Sequence, residues 1–239
     1  MPGEPWLILP TYNEADNVEA ILTAAGEVLS AAAPEGFRIL VVDDGSPDGT
    51  GRIADAMADR HEWVRVLHRT EKGGIGPAYL AGFAHALGEG AGCVMEMDSD
   101  FSHDPADLAR LLAAVRDGAD LALGSRYVQG GGVTDWGLLR RFISKGGSTY
   151  ARIVLGLTVR DLTGGFKCFR REVLEAIDFE SVRSRGYAFQ VELTYRAVQR
   201  GFKVVEVPIV FRDREQGQSK MSWRITVEAM WLVPMLRFG

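Results

Sequence analysis

Along the first half of the chain, short β-rich apolar runs alternate with stretches whose apolar residues recur at helical spacing. Trp6 to Pro10 reads as a strand, and Val18, Ile21, Leu22, Ala25, Val28 and Leu29 give the following helix one apolar face. Phe37 to Val42, Trp63 to Leu67, Cys93 to Met97 and Ala119 to Leu123 are the next strands expected. Helices are expected between them over Gly51 to Arg60, over Ala78 to Leu87 and from Pro105, with Asp104 as its cap. Strand–helix–strand repetition of this kind predicts an α/β domain with a mostly parallel sheet flanked by helices.

The second half is less regular. Gly130-Gly131-Gly132 leads into a basic helical stretch from Leu138 to Leu155, followed by strand-like Phe166 to Phe169, a helix near Tyr187 to Arg200 and strand-like Val204 to Phe211. Residues 223–239 form an apolar terminal segment interrupted by Pro234, with Trp231, Leu232, Met235 and Leu236 between Arg224 and Arg237. That pattern suits a helix in a bilayer interface, or one packed on the core or on a partner. No repeat or linker divides the chain, so a single domain is expected, with residues 1–120, 121–222 and 223–239 as its parts.

Composition excludes the unusual classes. Hydrophobic residues make up 46% and charged residues 25% of the 239, values of an ordinary folded chain. No apolar run approaches the roughly 18 residues of a spanning helix. The N-terminus lacks the basic and apolar regions of a secretory signal, so a cytoplasmic location is expected. Cys93 and Cys168, without metal-site spacing, are expected to be buried thiols. Net charge is −5, yet residues 1–120 hold 8 basic against 21 acidic side chains and residues 121–239 hold 19 against 11. The acidic total argues against nucleic acid as a partner, while the basic second half suits an anionic ligand or an anionic membrane surface.

Ligands of open α/β sheets bind beyond the carboxyl ends of strands. Four such ends carry polar clusters here: Thr11-Tyr12-Asn13-Glu14, Asp43-Asp44, Asp98-Ser99-Asp100 and Ser125-Arg126. Asp98 and Asp100, two apart at a strand end, are expected on one face, with Ser102 able to point the same way. Two carboxylates without a clear His or Cys set favour Mg2+ or Mn2+ completed by water and substrate phosphates. No Walker loop, dinucleotide fingerprint, HExxH pair or hydrolase triad is present.

PTYNE at Pro10 to Glu14, VVDDGSPDGT at Val41 to Thr50, MDSDFSH at Met97 to His103, GSRY at Gly124 to Tyr127 and REQGQSK at Arg214 to Lys220 resemble the inverting family 2 glycosyltransferases of GT-A fold. Their order and spacing are most similar to the polyprenol-phosphate (dolichol-phosphate) mannose synthases, across Leu7 to Met221. The resemblance implies amphipathic interface helices in the C-terminal half. It implies transfer of mannose from GDP-mannose to a polyprenyl phosphate with inversion, at the cytosolic membrane face and in some relatives beside a membrane-protein partner.

By the same resemblance Pro10, Tyr12, Glu14, Asp43, Asp44, Asp98, Ser99 and Asp100 bind the nucleotide, and Asp98 and Asp100, with Ser102, hold the metal. Arg126, Arg140, Arg214, Ser219 and Lys220 meet the acceptor phosphate, and Asp100, Arg126 and Arg214 carry catalysis. Glu192 falls where relatives with hydroxyl acceptors have a base, and a positioning role is expected for it. A UDP-glucose-dependent enzyme making polyprenyl-phosphate glucose, and a catalytically silent nucleotide-binding domain, stand as alternatives.

Overall fold

The expected strands form because β-branched and aromatic residues fill them, and because helices cover both faces of the resulting sheet. A computed structural model describes the chain except residues 1, 2, 135, 183, 185, 213–230, 232 and 239, and except the side chains of residues 138–140, 180 and 187. In chain order the elements are β1 (Pro5–Thr11), α1 (Val18–Ala32), β2 (Arg38–Asp43), α2 (Thr50–Arg60), β3 (Val64–His68), α3 (Ile75–Gly88), β4 (Cys93–Glu96), α4 (Asp107–Arg116), β5 (Leu121–Ser125), β6 (Gly132–Val133), α5 (Leu138–Leu155), β7 (Lys167–Arg170), α6 (Arg171–Ile177), α7 (Gly186–Gln199), β8 (Val204–Pro208) and β9 (Val210–Phe211). Residues 233–238 are also helical.

Seven strands form one sheet in the order β3-β2-β1-β4-β7-β5-β8, and β6 pairs with β9 beside it. The first four are parallel, as are β5 and β8, but β7 lies antiparallel between β4 and β5. Strand β7 therefore starts where β4 and β5 end: Lys167 pairs with Glu96 on one side and Leu123 on the other. The loop before β7 is thereby brought to the edge at which the parallel strands finish. The run Val204 to Phe211 is divided at Ile209, whose flanks pair with β5 and with β6.

One core layer packs α1, α2 and α4 on the sheet through Ile21, Leu22, Leu29, Leu111 and Leu112, and a second packs α3, α6 and α7 through Tyr79, Phe83, Val173 and Phe189. A third joins Leu123, Ala151, Leu155 and Val233. Helix α4 starts at Asp107 rather than at Pro105, after a turn in which Asp104 Oδ1 accepts the Ala106 N–H. Cys93 and Cys168 are buried thiols.

The centre of the sheet also carries charge. Glu96 and Lys167 are fully buried cross-strand neighbours, and neither Glu96 oxygen has a hydrogen-bond partner among the described residues. Lys167 Nζ donates to the main-chain and side-chain oxygens of Gln190. Burial raises the Glu96 carboxyl to about 7 against the pull of the Lys167 ammonium, and burial lowers Lys167 to about 8. Between pH 4.5, the ordinary value for this carboxyl, and pH 7 the folded chain thus holds a proton that the unfolded chain releases, so stability falls as pH rises through that window. In Glu96→Gln this downward slope, as much as about 3 kcal/mol, is expected to vanish from urea unfolding measured at pH 5 and pH 7.5.

Candidate active site

Strand β1 is flanked by β2 and β4, whose crossover helices lie on opposite faces, and a crevice opens where the two connections part. Register brings Thr11 of β1 opposite Asp43 of β2. Beyond them the two loops are laced together: Asn13 N–H donates to Ser46 Oγ at 3.0 Å, Glu14 N–H to Thr50 Oγ1 at 2.9 Å and Ala15 N–H to Asp48 Oδ2 at 3.0 Å. Burial alone would raise the Asp48 carboxyl, but donors on Thr50 and Ala15 outweigh it and hold the group below its ordinary value. Asp48 organises the first nucleotide-side loops and was not among the residues singled out from sequence; its place in SPDGT, two before a helix, was the available signal.

The two acids at the end of β2 are buried and occupied. Asp43 accepts from Thr11 Oγ1 at 3.3 Å, from Ser46 N–H at 3.2 Å and from the Ser46 hydroxyl. Asp44 accepts from Arg69 and, through its other oxygen, from the N–H groups of Gly73 and Gly74 at 3.1 and 3.2 Å. It thereby pins the glycine-rich loop ahead of α3, from which Lys72 Nζ sits 3.6 Å above the centre of the Tyr12 ring.

Strand β4 ends at Glu96, so Asp98 and Asp100 stand in the loop beyond it rather than on alternate strand positions. The loop still returns to β1: Met97 N–H donates to Ile8 O, and Ser99 Oγ donates to Pro10 O at 3.0 Å. Tyr79, fully buried on α3, reaches Asp98 Oδ1 at 3.4 Å. Burial first, then the charges of Asp98, Glu96 and Asp100, push its phenol well above the ordinary value. Asp100 Oδ1 accepts the Ser102 N–H at 3.0 Å. Asn13 and Phe101, next to Tyr12 and Asp100, both adopt φ of 59°, a left-handed conformation that Asn tolerates readily and that is unfavourable for a bulky side chain such as Phe101.

A divalent cation fits these residues. Ser102 Oγ is buried without a hydrogen-bond partner among the described residues, and the Ser102 N–H donates to Asp100. All the donors are oxygens, the set a hard cation takes. No three His, Cys, Asp or Glu side chains among the described residues group together as metal ligands.

At the end of β5, Arg126 is buried. Its Nε and Nη2 donate to the two oxygens of Asp161, each at 2.7 Å, its N–H donates to Asp161 Oδ2, and Nη2 also meets Thr163 Oγ1 at 2.9 Å. Gly164 follows so close to β5 that a Cβ there would stand 3.2 Å from Gly124 O. The pair therefore clamps the 161–165 loop onto the strand end, and Asp161, absent from the sequence assignment, is its second half. Glu192 is buried, and its carboxylate accepts from Ser184 and Arg196. The structure brings together Pro10, Tyr12, Glu14, Asp43, Asp44, Asp98, Ser99, Asp100, Ser102 and Arg126 at one sheet edge. Arg214, Ser219 and Lys220 lie outside the described residues, and Arg140 is described only as a backbone position in α5.

The family model described as Glycosyl transferase family 2 matches residues 6–178. The chain is 53% identical over 229 residues to the polyprenol monophosphomannose synthase of Mycolicibacterium smegmatis, covering 95% of this chain and 84% of that one. It is 49% identical over 232 residues to the undecaprenyl-phosphate mannosyltransferase of Micrococcus luteus, covering 97% and 92%. Among solved structures, glucosyl-3-phosphoglycerate synthase from Mycobacterium tuberculosis, in complex with Mn2+, uridine diphosphate and glucosyl-3-phosphoglycerate, superposes with a TM-score of 0.73 at 18% identity over 98% of this chain and 80% of that one.

Removal of one member of a buried ion pair strands the other. Asp161→Ala is expected to cost about 3–5 kcal/mol in urea unfolding, well above the loss from Arg60→Ala at a surface pair with Glu19.

Proposed function

The chain belongs to glycosyl transferase family 2, and from that premise we propose that it transfers mannose from GDP-mannose to a polyprenyl phosphate, with inversion, at the cytosolic face of a membrane. The observation that carries this reading is the extent of the likeness: about half of all residues match two lipid-phosphate mannosyltransferases across nearly the full chain, through both the acidic and the basic half.

In this reading Tyr12 and Glu14 receive the guanosine, on loops that Asp43, Asp44 and Asp48 hold in place. The order of roles follows the hydrogen bonds, since Asp43 and Asp44 are engaged in shaping loops. Asp98 and Asp100, with the Ser102 hydroxyl, hold Mg2+ or Mn2+ on the diphosphate, where the cation neutralises charge on the leaving group. Arg140, Arg214, Ser219 and Lys220 receive the acceptor phosphate. Arg126 takes part from the same side by fixing Thr163 and its loop through Asp161.

A phosphate monoester has a second pKa near 6 and is largely dianionic at neutral pH, so it attacks the sugar carbon without a protein base. The engagement of Glu192 by Ser184 and Arg196 suits a carboxylate that positions α7 rather than one that removes a proton. No helix among the described residues is long and apolar enough to cross a membrane.

Purified protein given labelled GDP-mannose, a short polyprenyl phosphate and Mg2+ should move label into the organic phase. UDP-glucose in its place should not, and preference for UDP-glucose would replace the donor assignment. Asp100→Ala should abolish cation-stimulated transfer with its circular dichroism unchanged, whereas near-normal turnover would remove the cation from this loop. Arg214→Ala should lower kcat/KM for the lipid phosphate by about a hundredfold, the scale of a lost charge-assisted contact.

A further inference from the structure

Helix α5 has three distinct sides. Ser148, Ala151 and Leu155 are buried against the core. Lys145, Thr149 and Arg152, spaced by four and three residues, line up on one flank and, with Tyr127 and Arg160, border a half-open cavity of about 230 Å3. The third side faces outward and is apolar: Phe142 is 79% and Ile153 69% exposed, with Gly146 between them.

The cavity is strongly positive. Lys145, Arg152 and Arg160 have no carboxylate ion-pair partner among the described residues, and the nearby Glu206 spends its oxygens on the main-chain N–H groups of Arg160 and Asp161 at 2.9 and 3.0 Å. Three cations against the one nearby carboxylate of Glu206 leave a net positive charge around a space of this size, which suits a phosphoryl group, for which arginine supplies forked donors. The C-terminal helical residues extend the same surface. Val233 and Leu236 pack with Ala151 and Leu155, and Arg237 donates to Val154 O, while Trp231, Met235 and Phe238 stay more than half exposed.

We propose that the cavity between Tyr127, Lys145, Thr149, Arg152 and Arg160 binds the phosphodiester headgroup of an anionic phospholipid, distinct from the mannosyl acceptor, while Phe142 and Ile153 enter the acyl boundary beside it. A dissolved phosphate would gain nothing from the apolar side chains exposed next to the cations, whereas a headgroup anchored at an interface presents both chemistries at once. The excess of acid in residues 1–120 repels the same surface and turns the nucleotide crevice toward solvent. The inference stands apart from the mannosyl reading, because the vesicles that test it contain no polyprenyl phosphate.

The full chain is floated with phosphatidylcholine vesicles with and without phosphatidylglycerol. Wild type is expected to bind only the latter, and the triple variant Lys145→Ala, Arg152→Ala, Arg160→Ala to lose on the order of a hundredfold, about fivefold per cation at a charged surface. A triple of equal charge change elsewhere, Arg52→Ala, Arg65→Ala, Arg200→Ala, is expected to bind nearly as wild type. Transfer to a short polyprenyl phosphate in detergent should be unchanged in both. Equal losses in the two triples would reduce the site to diffuse attraction and overturn it. So would a loss of transfer in detergent, which would return the cations to the acceptor. Calorimetry that finds inorganic phosphate bound through these cations, with no phosphatidylglycerol-dependent flotation, would overturn the lipid source as well.

Discussion

The candidate site depends on the parallel pairing of β1 with both β2 and β4. Parallel strands finish at one edge, and a central strand with crossovers on opposite faces leaves a crevice there. Everything polar in the acidic half is placed by that pairing: Tyr12 and Glu14 follow β1, Asp43 and Asp44 close β2, and the Asp98–Asp100 loop runs back along β1 through Met97 and Ser99. The antiparallel insertion of β7 extends the principle to the other half, since a reversed strand begins at the edge where its neighbours end.

Such concentration of polar groups has a cost, and hydrogen bonds offset most of it. Asp43, Asp44, Asp48 and Asp161 are satisfied by main-chain N–H groups, hydroxyls or a guanidinium, so burial of their charge makes loops rigid instead of unstable. Glu96 is the exception, with no hydrogen-bond partner among the described residues. It lies one turn of the chain before Asp98, where the neighbouring Lys167 and Gln190 already bind each other. The sheet is thus least comfortable directly beneath the loop that carries the candidate cation ligands, the usual distribution of strain around a working site.

Strand runs and amphipathic helices were legible because period-two and helical spacing report burial directly, and the polar residues after each strand announced the site edge. Pairing direction was not legible: β7 presents the same side chains, Lys167 to Arg170, whether it runs up or down the sheet. Nor were partners distant in sequence. Arg126 reads as a phosphate-binding arginine, and only the fold brings Asp161, 35 residues on, into its fork. The alternation argument for Asp98 and Asp100 does not apply as stated, because β4 stops two residues before Asp98 and both stand in the loop beyond it, which Phe101 continues in a left-handed conformation.

Charge asymmetry gives the two halves different work. In the proposed reading, a cation that Asp98 and Asp100 would hold lets the carboxylates of the acidic half take part in an anion site for a nucleotide diphosphate. The basic half needs no such intermediary, and its arginines and lysines can meet phosphate directly. On that proposal, joining both in one sheet would set a donor whose charge is masked by metal opposite an acceptor whose charge is masked by side chains. The two phosphorylated substrates, which repel each other in water, can then approach to bonding distance. The Arg126–Asp161 clamp serves this arrangement best as a neutral pair, since it fixes the acceptor loop without adding net charge to either side.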